Sequence, residues 1–156
     1  MKNLLKYKQF ENNSQIPLTE NEKEVKDDLE FILTDLTDLG VHFELSGKNI
    51  FMLDLEGWYR NTGVERGYTY TDYLCLRLYP DYTQLEEIIE ILKDCKRYTE
   101  RQGWKSSVTI EEGVRIIKSN LDQIVELYNT NKSAYPGRKL YGSISIFFYK
   151  IEKLDL

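Results

Sequence analysis

Four carboxylates fall where a pair of strands could gather them: Glu44 in "HFELS", Asp54 and Glu56 in "MLDLEG", and Asp72 in "YTDYL". Same-parity side chains on adjacent antiparallel strands come within about 5 Å of one another. A cluster of carboxylates suits a hard cation such as Mg²⁺, which serves nucleases and phosphohydrolases. These four residues are therefore the candidate metal ligands of a small metal-dependent hydrolase. The same alternation of acid and apolar residue is what any half-solvated strand displays. Other chemistry lacks its residues. The phosphate-binding loop, the dinucleotide fingerprint, the HExxH zinc helix and the GxSxG elbow are all missing. His42 is the single histidine, and it opposes the core-facing positions of its strand, so it reads as solvent-facing. Cys75 and Cys95 form no CxxC pair and fall on apolar repeats, so they read as buried thiols, with a disulfide as the alternative. No catalytic residue is assigned and no cofactor is expected.

Binding has more to work with. The stretch "GWYRNTGVERGYTYTDY" sets Trp58, Tyr59, Arg60, Arg66, Tyr68 and Tyr70 among three glycines. Tryptophan, tyrosine and arginine dominate interaction hot spots, and loops on a rigid sheet are where binding usually resides. "YPGRKLY" repeats the character with Tyr135, Arg138 and Tyr141. If the last strand pairs with the third, the two loops could share one edge of the domain. The plainer alternative makes Trp58 and one or two tyrosines a plug for the core, with Tyr68 and Tyr70 opening a strand. Tyrosine and arginine on a sheet can also stack single-stranded bases. The net charge of −5 disfavours nucleic acid, and no aromatic RNA-binding signature is present. A third candidate surface is an acidic helix face that includes Asp27, Asp28 and Asp35, suited to a basic, nucleic-acid-binding partner.

The elements that must carry these residues follow from periodicity. Residues 1–18 read as a basic and polar arm stopped by Pro17. Thr19 and Glu22 form a capping box, followed by Val25, Leu29, Ile32, Leu33, Leu36 and Leu39 at helical spacing and by Gly40 as a left-handed stop. The outer face of this helix carries Glu20, Glu22, Glu24, Asp27, Asp28, Glu30, Asp35 and Asp38. The period then changes to two. Val41–Leu45 and Phe51–Leu55 alternate around "SGKN" as a hairpin, and a third strand runs near Tyr70–Tyr79 up to Pro80. Thr83 with Glu86 opens a second helix that ends at Gly103. Thr109 with Glu112 opens a third, with Val114, Ile117, Leu121, Ile124 and Tyr128 inward. "YGSISIFFYKI" is the last strand.

This pattern predicts an α+β domain over residues 19–156, in the order α-β-β-β-α-α-β. A mainly antiparallel four-stranded sheet carries three helices on one face, and its other face is partly wet. A chain of 156 residues can bury a full core without disulfide or metal. No apolar run reaches the roughly 20 residues of a membrane helix, and none resembles a secretory signal, so no membrane contact and a cytoplasmic location are expected. The last strand, placed at an edge, could pair with a second copy.

The runs "DLTDLGVHFEL" and "YLCLRLYPDYTQLEEIIEILKD" resemble small uncharacterised α+β proteins of large tailed bacteriophages. There a helix ending in an acidic-Gly turn passes into a hairpin, and a later strand feeds a helix opened by Ser or Thr. That resemblance implies a virion or assembly component, or an accessory factor acting on a host protein, located in host cytoplasm or virion. It brings no catalytic residue. The leading expectation is a non-enzymatic protein-interaction module, with the hydrolase and the single-strand binder as alternatives.

Overall fold

The computed structural model describes residues 16–48, 68–80, 82–112, 115–134 and 142–153. Along them run α1 (Glu20–Asp38), β1 (Phe43–Ser46), β2 (Tyr68–Leu78), a 3-10 turn (Tyr82–Gln84), α2 (Leu85–Arg101), β3 (Lys105–Glu112), β4 (Arg115–Ser119), α3 (Leu121–Ala134) and β5 (Ser143–Lys153).

The first capping box forms as its residues require. The Glu22 amide donates to Thr19 Oγ1 at 3.0 Å, and the Thr19 amide donates to Glu22 Oε1 at 2.8 Å. Val25, Leu29, Leu33 and Leu36 then fall on one stripe and are buried. Helices α1 and α2 stop in the same way. Gly40 and Gly103 take positive φ, 76° and 82°, a conformation glycine reaches without steric penalty. Each glycine amide bonds to a carbonyl three residues back. The following residue reaches five back, Val41 to Leu36 at 2.9 Å and Trp104 to Thr99 at 3.0 Å. Val41 and Trp104 are both buried, so each stop folds its apolar residue under the helix and launches a strand.

The five strands form one antiparallel sheet in the order β1-β2-β5-β3-β4. Opposite pairs Leu74/Phe148, Leu76/Ile146 and Leu78/Ile144 share a face with Val108 and Ile110. All eight are buried, and they join residues of α1, α2 and α3 in one core. Each fully buried apolar side chain contributes roughly 1.5–3 kcal/mol. The architecture is thus α+β, with three helices on one face of an antiparallel sheet.

The opposite face is half apolar. Tyr70 and Tyr73 are buried there, with Tyr68, Cys75, Phe147, Tyr149 and Ile151 packed around them. A register shift between Tyr70 and Asp72 brings this about. In an uninterrupted strand, residues three apart point to opposite faces; the bulge turns both rings to the same side. Further along, Arg77 is exposed, while Ser145 opposite it is buried.

Several expectations change. Residues 105–112 and 115–119 are strands, and α3 begins at Leu121, not Thr109. Ser107, Val108, Thr109 and Ile110 alternate with period two, and Val108 and Ile110 complete the core facing Ile146 and Ile144. That burial outweighs the local capping pattern. Glu112 pairs with Arg115, and Gly113 lies outside the described residues. The element order becomes α-β-β-α-β-β-α-β among the described residues, and the return strand Phe51–Leu55 lies outside them. Thr83 is not the cap of α2. The chain enters through the 3-10 turn, so Gln84 holds that position and makes no side-chain capping bond. Strand β5 is no edge: it lies between β2 and β3, and among the described residues β1 and β4 end the sheet. The expected pairing of a second copy with β5 as an edge strand therefore loses its basis. Of the arm, residues 16–18 belong to the fold, since the Ile16 amide donates to the Lys48 carbonyl at 3.0 Å and Leu18 packs on the core.

Candidate functional site

Only part of the expected sites falls among the described residues. Trp58, Tyr59, Arg60 and Arg66 lie outside the described residues, as do Tyr135, Arg138 and Tyr141. Tyr68 is half-buried, and Tyr70, at 6% exposure, is a core ring packed edge-on to Tyr73 and Tyr149. The last strand does pair with the third, and the described residues next to the two loops lie at opposite ends of that pair. Residues 57–67 lead into β2 where Tyr68 pairs with Lys153, while residues 135–141 lead into β5 where Ile144 pairs with Leu78. At about 3.3 Å per residue those ends are some 30 Å apart.

The described carboxylates do not gather either. Glu44 pairs with Arg77, whereas Asp72 stands five residues away and faces the other side of the sheet. Asp54 and Glu56 lie outside the described residues, among which no cluster of three metal-ligating side chains occurs. His42 is exposed, as expected, stacked on Tyr79 with ring centroids 6.5 Å apart and lying 3.8 Å from Glu44. Neither cysteine is in a disulfide.

Asp72 instead belongs to a structural knot at the start of α1. Its Oδ1 accepts from Thr19 Oγ1 at 2.9 Å. Glu22, read from sequence as part of the outer acidic face, is fully buried. Its Oε1 completes the capping box, and its Oε2 accepts the Tyr73 amide at 2.9 Å. That amide lies beyond the end of β1, whose pairing with β2 stops at Cys75, so the glutamate takes the place of a strand. Lys48 approaches Glu22 Oε2 at 3.8 Å and donates to the Thr71 carbonyl at 3.1 Å. This arrangement positions backbone, tying the start of α1 to β2.

Among the described residues an open surface lies on the outward side of α1 and α2. Phe31 is 83% exposed. Two residues from both Leu29 and Leu33, it points about 160° away from each, directly off the core. Its neighbours at three and four residues are Asp27, Asp28, Thr34 and Asp35, with Glu24 and Asp38 a further turn out. Asp27, Asp28 and Asp35 are all exposed, as the acidic-face reading requires. Between the helices runs a groove of about 440 Å³, lined by Phe31, Ile32, Thr34 and Asp35 from α1 and by Asp94, Arg97 and Arg101 from α2. Arg97 pairs with Asp94, which holds the guanidinium pKa up, and the Tyr98 hydroxyl donates to Asp28. Partial burial, reinforced by Asp28, raises the Tyr98 phenol well above its usual range, so it stays a donor at any physiological pH. Phe31 stands outside the inward stripe that helical spacing picks out, and its angle opposite Leu29 and Leu33 is the signal the sequence carries for it.

No helix among the described residues is long and apolar enough to cross a membrane. Compared with family models, curated proteins and solved structures, the chain matches none.

Proposed function

We propose that this chain is a protein-interaction module whose contact surface is the outward face of α1 and α2, with Phe31 as its anchor. The observation that carries the reading is a phenylalanine at 83% exposure beside an open groove. Aromatic anchors seated in a partner's pocket dominate binding energy, and charged rims steer association. The acids around it add support. Asp35 and Asp38 lie near the C-terminal end of α1, whose last turn holds no basic residue. Each acid there opposes the helix dipole at a cost of about 0.3–1 kcal/mol, so a role outside helix stability accounts for them better. In a large tailed phage, such a module would serve as a virion or assembly component or as an accessory factor on a host protein.

A benzophenone-bearing phenylalanine analogue at position 31 tests this in the native cell. Irradiation should yield a defined protein adduct, and Asp27→Lys with Asp35→Lys should diminish it. The same analogue at the exposed Glu126 of α3 is the control. Adducts from position 31 no stronger than those from position 126 would remove this face as the contact surface.

A further inference from the structure

We infer that the partner of the α1–α2 face is a second copy of this chain, joined through a two-fold contact centred on Phe31. The inference rests on the reading that this face is the contact surface.

A two-fold interface presents the same patch from both sides, so the patch must be complementary to itself. That requires an apolar centre on the axis, with acids on one flank and bases on the other. Among the charges lining the groove, those left unpaired follow that layout, since Asp94 on α2 is taken up by Arg97. Phe31 and Ile32 border the groove, Asp27 and Asp35 lie on α1, and Arg97 and Arg101 lie on α2. Asp27, Asp35 and Arg101 make no ion pair among the described residues, so charge of both signs stands uncommitted on the two flanks. Related by a two-fold axis, each Phe31 enters the groove of the other copy. The acids of one α1 then meet the guanidinium groups of the other α2. A uniformly basic partner would have to lie against Arg97 and Arg101, and a uniformly acidic one against Asp27 and Asp35; like charges in register are costly.

The size of the face sets the strength. Helix α1, of 19 residues, is about 28 Å long, and a two-helix layer is about 20 Å across. Such a face buries on the order of 1,000 Å² in all, the low end for a specific contact. An interface of that size belongs to the weak, transient class, so the dimer is sought at micromolar and higher concentrations.

Sedimentation velocity on the purified chain, from about 5 to about 500 µM, tests this. The wild type should shift from the mass of one chain toward that of two. Phe31→Ala should weaken association at least about tenfold. Two charge-reversed variants make the test specific: Arg97→Glu with Arg101→Glu, and Asp27→Lys with Asp35→Lys. Each alone should stay monomeric, while an equimolar mixture should regain the dimer, because every contact again joins opposite signs. Circular dichroism melts establish that each variant is folded.

A wild type that stays monomeric throughout overturns the inference. So does a dimer that persists in Phe31→Ala and in both reversed variants, and so does a mixture no better than its components. If the chain is monomeric but position 31 still cross-links to another protein in the cell, the inference fails and the proposed function stands. With no adduct at all, both fail.

Discussion

Glu22 shows how far a residue's task can depart from its type. One carboxylate oxygen finishes the helix and the other finishes the strand, with Lys48 alongside. Removing one member of a buried charged pair leaves the other unpaired. Glu22→Ala should therefore destabilise the fold by about 3–5 kcal/mol, against about 1 kcal/mol for Thr19→Ala, which removes a cap. Urea denaturation of the two variants checks this, and equal losses would mean the carboxylate acts only as a cap. The box itself was readable, since Thr19 and Glu22 precede a clear helical stripe. The second oxygen's partner was not, because the Tyr73 amide is 51 residues away and the unpaired stretch of β2 exists only once β1 has ended.

At the scale of the element, four Thr-x-x-Glu patterns occur, and of the three among the described residues one caps a helix. The pattern is local, and tertiary pairing decides its use. Around Thr109 the alternation of Val108 and Ile110 with polar residues wins, because two strand neighbours are there to receive it. Helix α3 takes its cap from Asn120, whose Oδ1 accepts the Gln123 amide at 3.0 Å. Asn120→Ala should cost about 1 kcal/mol, and Asn120→Asp should recover it. Thr109→Val, which would abolish a cap but suits a strand, should leave the urea midpoint unchanged or higher. A loss of about 1 kcal/mol there would argue for a capping role. The helical stripe of α1, both glycine stops and β2 were legible because each is specified within a dozen residues. The position of β5 was not, since nothing local says which strands will flank it.

At the scale of the whole molecule, the sealed core makes the fold sensitive to alkali. Burial pushes the Cys95 thiol from 9.0 up to about 12. Between those values the unfolded chain releases a proton that the folded chain keeps. Stability is therefore complete below about pH 9 and falls by up to about 1.4 kcal/mol per pH unit above it, until the folded thiol ionises. Burial also raises the Tyr73 and Tyr149 phenols, which adds loss of the same sign at higher pH. Urea midpoints from about pH 8 to about pH 11 should fall less steeply for Cys95→Ala than for the wild type; parallel curves would mean the thiol is not sealed. Of the candidate site, the acidic residues of α1 were legible, but Phe31 acquires meaning only beside a groove made with a second helix. The strand order carries its own consequence for synthesis. The middle strip of the sheet is the last of the described elements to leave the ribosome. Until it arrives, two separate ribbons wait on either side of a gap, neither able to close the core. Completion must then come late and nearly at once, as the final strip slides between them and joins both margins.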